Sequence, residues 1–337
     1  MAIAHFPYSD RRLEKGFLGG LSEFPGGKIE SEETVEACIK REILEEIALV
    51  IVFVPHYTNE VFMTITNIQW ILSILPIILL MKEKPNYRYG NIYVQFAFDF
   101  MVIIFCGLTG PFLIFLTPFF AWKWFNNKNL YNFSIVSVAV IVALIQLGFI
   151  EFTSTSKLLE NPSLALFLKA NSAVLGQKFF GGLFLGRIRV YKINPYFLSL
   201  LYFCLIFVIL RFSLIKNKFV ITCLGIQLII IIVVFYKFRA TPEVLIPSGS
   251  GMRYFHIPSI MIAWSLIALL EEKEEWKRNL TKMLLILILI SSLKSGFHST
   301  KFIDYDWKRY SQLIGKEDVV IPINPKGWEF KLKGHPP

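Results

Sequence analysis

Apolar and polar positions fall into two regimes along this chain. Over residues 1–61 they are interspersed, and Val35, Ile39, Ile43 and Ile47 recur at helical spacing, which predicts an amphipathic helix over 34–47. From residue 62 apolar positions run on for about twenty residues, the length a helix needs to cross a hydrocarbon core. Comparable runs occupy 131–150, 195–214, 219–236 and 255–270, each bounded by Lys, Arg or Asn. A longer run over 93–122 is interrupted by Gly107, Gly110 and Pro111 and reads as a kinked span or as two half-helices, and a shorter one covers 280–293. Together they predict a mainly α-helical polytopic membrane protein of about seven spans. Before them stands a small N-terminal segment, for which the motif discussed below implies an incomplete α/β fold. The expected divisions are 1–61, a helical membrane domain over 62–293, and a soluble tail over 294–337.

Two stretches fit the simple pattern less well. Backbone freed by Gly and Pro at membrane depth is tolerated only where protein or a watery cavity covers it, so Gly107-Leu108-Thr109-Gly110-Pro111 reads either as a lining segment or as an ordinary proline kink. Residues 151–192 are only moderately apolar and contain Gly176, Gly181, Gly182 and Gly186, which predicts an interfacial or re-entrant element. With seven spans, the N-terminal segment shares a side with the short basic loops holding Lys123, Lys128, Lys216, Lys218, Lys273, Lys277 and Arg278. That side is expected to be the cytoplasm. The opening residues lack the apolar core of a cleavable signal, so the first span is expected to direct insertion.

Composition strengthens the membrane reading. Hydrophobic residues make up 54% and charged residues 18%, Phe alone numbers 32, and the mean hydropathy is +0.54. These values lie outside the range of a soluble enzyme. The net charge of +10 comes from Lys and Arg that flank apolar runs and do not gather on one polar element with interleaved aromatics. Membrane lipids with anionic headgroups are therefore the expected partners, and no stable nucleic-acid complex is expected. Cys38, Cys106, Cys204 and Cys223 are too widely spaced to indicate a disulfide framework or a zinc site.

The candidate chemistry is concentrated near the start. Pro25-Gly26-Gly27 supplies a turn that only small residues can make. The helix that follows carries Glu42, Glu45 and Glu46 at i, i+3 and i+4, so three carboxylates share one face beside the apolar stripe, a donor set suited to a hard cation such as Mg2+. Arg41, four residues before Glu45, can pair with it.

Gly27, Glu33, Arg41, Glu42, Ile43, Glu45, Glu46 and Leu49 stand in the register of the Nudix box, and Gly19-Gly20-Leu21-Ser22-Glu23-Phe24-Pro25 resembles the MutT and MutY C-terminal branch of that family. The resemblance implies hydrolysis of a nucleoside diphosphate linked to another group, with an oxidised guanine nucleotide such as 8-oxo-dGTP among the substrates to expect. Glu42, Glu45 and Glu46 are then ligands of Mg2+, or of Mn2+ in its place, with Glu45, Glu42 and Arg41 catalytic, Gly26 and Gly27 shaping the substrate loop and Glu30 assisting. The sequence departs from the family at Ala48, where the box has Gly. Residues 1–61 are also shorter than the family's fold, of ordinary domain size, on the order of 100 residues.

In the apolar half, Asp99 is an ionisable group within an apolar run, which suggests either a polar pathway or an interfacial position. Arg253 follows the Pro247-Ser248-Gly249-Ser250-Gly251 loop and suits an anionic phosphate or lipid headgroup. The Leu-Thr-Gly-Pro-Phe break, the Arg-Tyr-Phe before a late span and Ile321-Pro322-Ile323-Asn324-Pro325 loosely resemble the C-terminal half of bacterial membrane glycosyltransferases that use lipid-linked sugars. Three functions remain open: a membrane-tethered Nudix hydrolase, a protein handling lipid-linked sugars, and an inactive fusion of two fragments. In each case a bacterial plasma membrane is the expected location.

Overall fold

The computed structural model of the chain describes Val54 and residues 67–82, 92–153, 163–186, 190–213, 217–246, 251–296, 303–323 and 328–334. Its helices begin with α1 (Ile68–Leu72) and α2 (Ile74–Met81), separated only by Ser73. The interruption has a local cause. Pro76 lacks an N–H and its ring excludes the carbonyl four residues earlier, while the Ser73 hydroxyl donates to the Trp70 carbonyl at 2.8 Å.

The long apolar run is two helices, α3 (Ile92–Thr109) and α4 (Phe112–Asn126), joined at Gly110-Pro111. Both pack on α5 (Leu130–Thr153), and side-chain contacts set their directions. Tyr131 meets Asp99 while Gln146 donates to the Leu108 carbonyl at 2.7 Å, so α3 runs parallel to α5. Trp124 stacks near Phe133 at 5.4 Å and the Thr117 hydroxyl reaches the Ala139 carbonyl at 3.5 Å, so α4 runs antiparallel to α5. The break is thus a tight reversal. Gly110 allows it, because a Cβ there would lie 2.6 Å from Gln69 Oε1. The segment is packed against protein in the way the sequence required, and it turns the chain back instead of kinking one span.

The reversal also brings the end of α4 beside the end of α2. The Lys123 ammonium donates to the carbonyls of Leu79 at 3.2 Å, Leu80 at 3.0 Å and also Lys82, at the end of α2. The first turn of α1 lies at the other end of these helices, where Trp70 packs on Phe112 at 4.7 Å. Lys123 and the first turn of α1 thus lie at opposite ends of these helices.

Next come α6 (Leu164–Ser172), a π-helix (Ala173–Gly181) and α7 (Gly182–Leu185), running without a break. The Ser163 hydroxyl caps α6 by accepting from the Leu166 N–H at 3.3 Å. This helix touches its neighbours near one end of the bundle: Ser199 donates to the Ser172 carbonyl at 3.0 Å, Phe179 packs on Tyr202 and Phe255, and Ser291 donates to the Gly182 carbonyl at 2.9 Å. The two long helices α8 (Pro195–Phe212) and α9 (Lys218–Lys237) are capped by Asn194 and Asn217, whose side chains accept from the first-turn N–H groups.

A 3-10 turn (Pro242–Leu245) leads on to α10 (Arg253–Ala268), followed by α11 (Glu275–Ser291). α9 and α10 pack most extensively of all helix pairs, and every residue of 254–266 is buried. Inside α10 the hydroxyls of Ser259 and Ser265 donate back to the carbonyls of Phe255 and Met261, both at 2.8 Å, so they need no outside partner. α10 is the centre of the apolar core.

Among the described residues three helices, α5, α8 and α9, are long and apolar enough to cross a membrane, against the seven spans expected. The difference has identifiable sources. The run at 255–270 folds as the 16-residue core helix α10, 93–122 divides at its turn, the described helix after residue 62 begins at Ile68, and α11 starts with charged residues.

Residues 298–337 form a second compact unit. It contains α12 (Trp307–Ser311) and an antiparallel hairpin of β1 (Val319–Ile323) and β2 (Trp328–Leu332), with Val319 opposite Leu332 and Ile323 opposite Trp328.

Candidate functional site

Gly26, Gly27, Glu30, Arg41, Glu42, Glu45 and Glu46 lie outside the described residues. Arg253 and Asp99 lie within them, at opposite ends of the helical unit.

Arg253 is the first residue of α10. Its guanidinium lies 5.0 Å from the centroid of the Tyr254 ring, and its Nη2 donates to the Tyr254 hydroxyl at 3.4 Å. The ammonium of Lys237, at the end of α9, lies 5.3 Å from the same ring and 5.6 Å from Phe238. Arg239 covers Tyr236 at 4.3 Å. Two cations from different elements thus share one aromatic ring with a third close by in sequence, each placed at a distance where the ring quadrupole favours it. Trp70 packs edge-on against Tyr254 at 5.1 Å; its indole N–H is buried and has no hydrogen-bond partner among the described residues.

The chain reaches this rim through a constrained path. Lys178, buried in the π-helix, donates to the Leu245 carbonyl at 2.5 Å and so fixes the 3-10 turn. Gly251 has φ +68, and a Cβ there would meet Leu245 Cδ2 at 3.0 Å. That left-handed backbone is one that L side chains adopt only at a cost of roughly 1–2 kcal/mol. Gly251→Ala should therefore lower the unfolding free energy of the purified protein by about that amount; an unchanged midpoint in chemical denaturation would mean that this turn does not set the approach to Arg253.

Asp99 belongs to a second polar group, beside the end of α2. The carboxylate accepts from Lys82 Nζ at 3.2 Å, Gln95 Nε2 at 2.7 Å and the Tyr131 hydroxyl at 2.5 Å. It is 3% exposed, held beside the end of α2. With three donors satisfied it resembles a structural hub more than an open ion path.

At the same end, between α10 and α11, Lys277 holds the Glu274 carboxylate at 2.5 Å and reaches Glu272 at 3.9 Å. Burial raises the Glu272 pKa above the ordinary carboxylate range against the pull of Lys277. Hydrogen bonds from Lys277 and Trp276 lower that of Glu274. Among the described residues no group of three or more His, Cys, Asp or Glu side chains could hold a metal ion.

Sequence reasoning singled out Arg253 but passed over Lys178, Lys237 and Arg239. A signal existed in part: Tyr236-Lys237-Phe238-Arg239 alternates aromatic and basic residues at the end of an apolar run. Nothing marks Lys178, since its role depends on a carbonyl 67 residues away.

A family model described as the NUDIX domain matches residues 9–76. The matched segment includes the box from Gly27 to Leu49 and ends within α2. No curated protein and no solved structure matches the chain, so the loose likeness to glycosyltransferases gains no support from relatives.

Proposed function

We propose that this chain is a multi-pass membrane protein whose N-terminal segment is a Nudix-type, Mg2+-dependent pyrophosphohydrolase acting on a nucleoside diphosphate derivative. The observation that carries this reading is the register of Gly27, Glu33, Arg41, Glu42, Glu45 and Glu46 inside the segment matched by the family model. Carboxylate oxygens suit Mg2+, with Mn2+ as a substitute, and the bound ion supplies charge neutralisation to the diphosphate and acidifies a water. Glu42, Glu45 and Glu46 hold the ion, and Arg41 pairs with Glu45 to fix its orientation. The Gly26-Gly27 turn lets backbone approach the phosphates, and Glu30 assists there.

A glutamate of this set takes the proton of the attacking water. The water oxygen forms a new bond to phosphorus, the bridging P–O bond breaks, and its electron pair leaves with the departing phosphate group. An oxidised guanine nucleotide is the substrate to try first, because residues 19–25 resemble that branch of the family.

The membrane reading draws on the surface of α5. Ile141, Leu144 and Phe149 are each more than half exposed, and only 22% of its apolar window is buried. In water so large an apolar face would drive association; in lipid it is the expected exterior. The cytoplasmic side for the N-terminal segment stays part of this proposal on its catalytic logic, since its nucleotide substrates are found there.

The test is release of phosphate or pyrophosphate from a nucleotide panel including 8-oxo-dGTP, using purified full-length protein in detergent. Release should require Mg2+ and fall by at least about 100-fold in Glu45→Gln, the range for loss of a general base. Release indifferent to Glu45→Gln, or none from a folded, monodisperse sample, would overturn the assignment. Retention of the chain in carbonate-washed membranes checks the membrane half separately.

A further inference from the structure

We propose that the rim of Lys237, Arg239 and Arg253 around Tyr254 binds a phosphate-bearing anion. Four observations converge there. First, the Lys237 ammonium and the Arg253 guanidinium both lie over the Tyr254 ring, although they come from the end of α9 and the start of α10. Second, among the described residues neither Lys237 nor Arg239 stands in an ion pair with a carboxylate. Both side chains are exposed.

Third, the rim coincides with the N-terminus of a 16-residue helix that has Met252 as its N-cap, no side-chain cap and no acidic residue in its first turn. The positive end of the helix dipole is therefore not offset by its own first turn. Fourth, the indole N–H of Trp70, buried and unpartnered, belongs to a ring packed on the same tyrosine. A guanidinium fork, an ammonium and a helix N-terminus together match the several oxygens of a phosphate better than the two of a carboxylate.

Two sources could supply that group: a lipid headgroup or a soluble phosphate. The 20 residues of α9 extend about 30 Å, the thickness of a hydrocarbon core, so in a membrane Lys237 stands at headgroup level. The lipid source alone rests on the membrane reading above. Binding in detergent does not require it, and the Nudix segment plays no part in either.

The experiment is a thermal-shift titration of the full chain in a neutral detergent, with three probes: dioctanoyl phosphatidylglycerol, dioctanoyl phosphatidylcholine and inorganic pyrophosphate. A ligand that binds only the folded state raises the melting temperature in a saturable way. Lys237→Gln and the double variant Lys237→Gln/Arg253→Gln should weaken the dissociation constant by roughly tenfold and more than tenfold, as expected for lost charge-assisted hydrogen bonds. Lys169→Gln, on the exposed face of α6, should leave it unchanged. Rim-dependent stabilisation by phosphatidylglycerol but not phosphatidylcholine assigns a lipid; rim-dependent stabilisation by pyrophosphate assigns a soluble phosphate. Should the double variant fail to fold, exposed Lys237→Gln alone decides. No saturable shift with either anion, or a shift that Lys237→Gln leaves intact, refutes the site.

Discussion

Replacing Asp99 with leucine should lower the unfolding free energy by about 3 kcal/mol, the lower part of the range for breaking a buried pair by removing one partner. The carboxylate is the shared acceptor of Lys82, Gln95 and Tyr131, and it ties α3 to both α2 and α5. Its removal leaves the Tyr131 hydroxyl in a buried position with its acceptor gone, a desolvation cost that leucine cannot repay. The Lys82 side chain is 22% exposed and can turn toward solvent, which keeps the expected value at the low end. Asp99→Asn, which keeps an acceptor oxygen, should lose about half as much. Denaturant titration of the detergent-solubilised protein, followed by tryptophan emission, measures both. A loss under about 1 kcal/mol for Asp99→Leu would show that the group is replaceable polarity and not a hub.

The second large effect is expected at Gly176. A Cβ at this position of the π-helix would press on the Pro195 carbonyl and lie 2.7 Å from Ser199 N and 2.8 Å from Ser199 Oγ. Two of these three atoms are backbone in the first turn of α8, so relief requires the helices to move apart. Overpacking of this kind costs typically about 1–3 kcal/mol. Gly176→Val should sit at or above the top of that range and Gly176→Ala within it. Gly148 is the control: it lies inside α5, where an added Cβ would meet nothing within 4 Å. There alanine should stabilise by up to about 1 kcal/mol, through helix propensity alone. Equal responses at the two glycines would mean that the π-helix does not depend on close approach to α8.

Which features could be read from sequence follows from the range of the forces involved. The apolar runs reappear as helices α2, α3, α4, α5, α8, α9, α10 and α11, because hydrophobic length is a local property. The caps Ser163, Asn194 and Asn217 are local too. What failed was topology. The five-residue break at Gly107–Pro111 is visible, but whether it kinks or reverses depends on Gln69 and Val142, which crowd it from two other places in the chain. The span count failed for a related reason: α10 has the composition of a membrane helix, yet its neighbours bury it all round. Arg253 was recognisable as a single cation after a Gly/Ser loop; its companion Lys237 is 16 residues earlier and becomes a neighbour only through the pairing of α9 with α10. The residues of the Nudix box speak through their register alone.

The three carbonyls held by Lys123 also bear on how the chain is made. They belong to the last turn of α2 and its cap, yet the cation that satisfies them is synthesised 41 to 44 residues later. Until α4 has emerged, the end of α2 must find water or a temporary partner. The end of α2 is therefore complete only once α4 has been made and has turned back onto it.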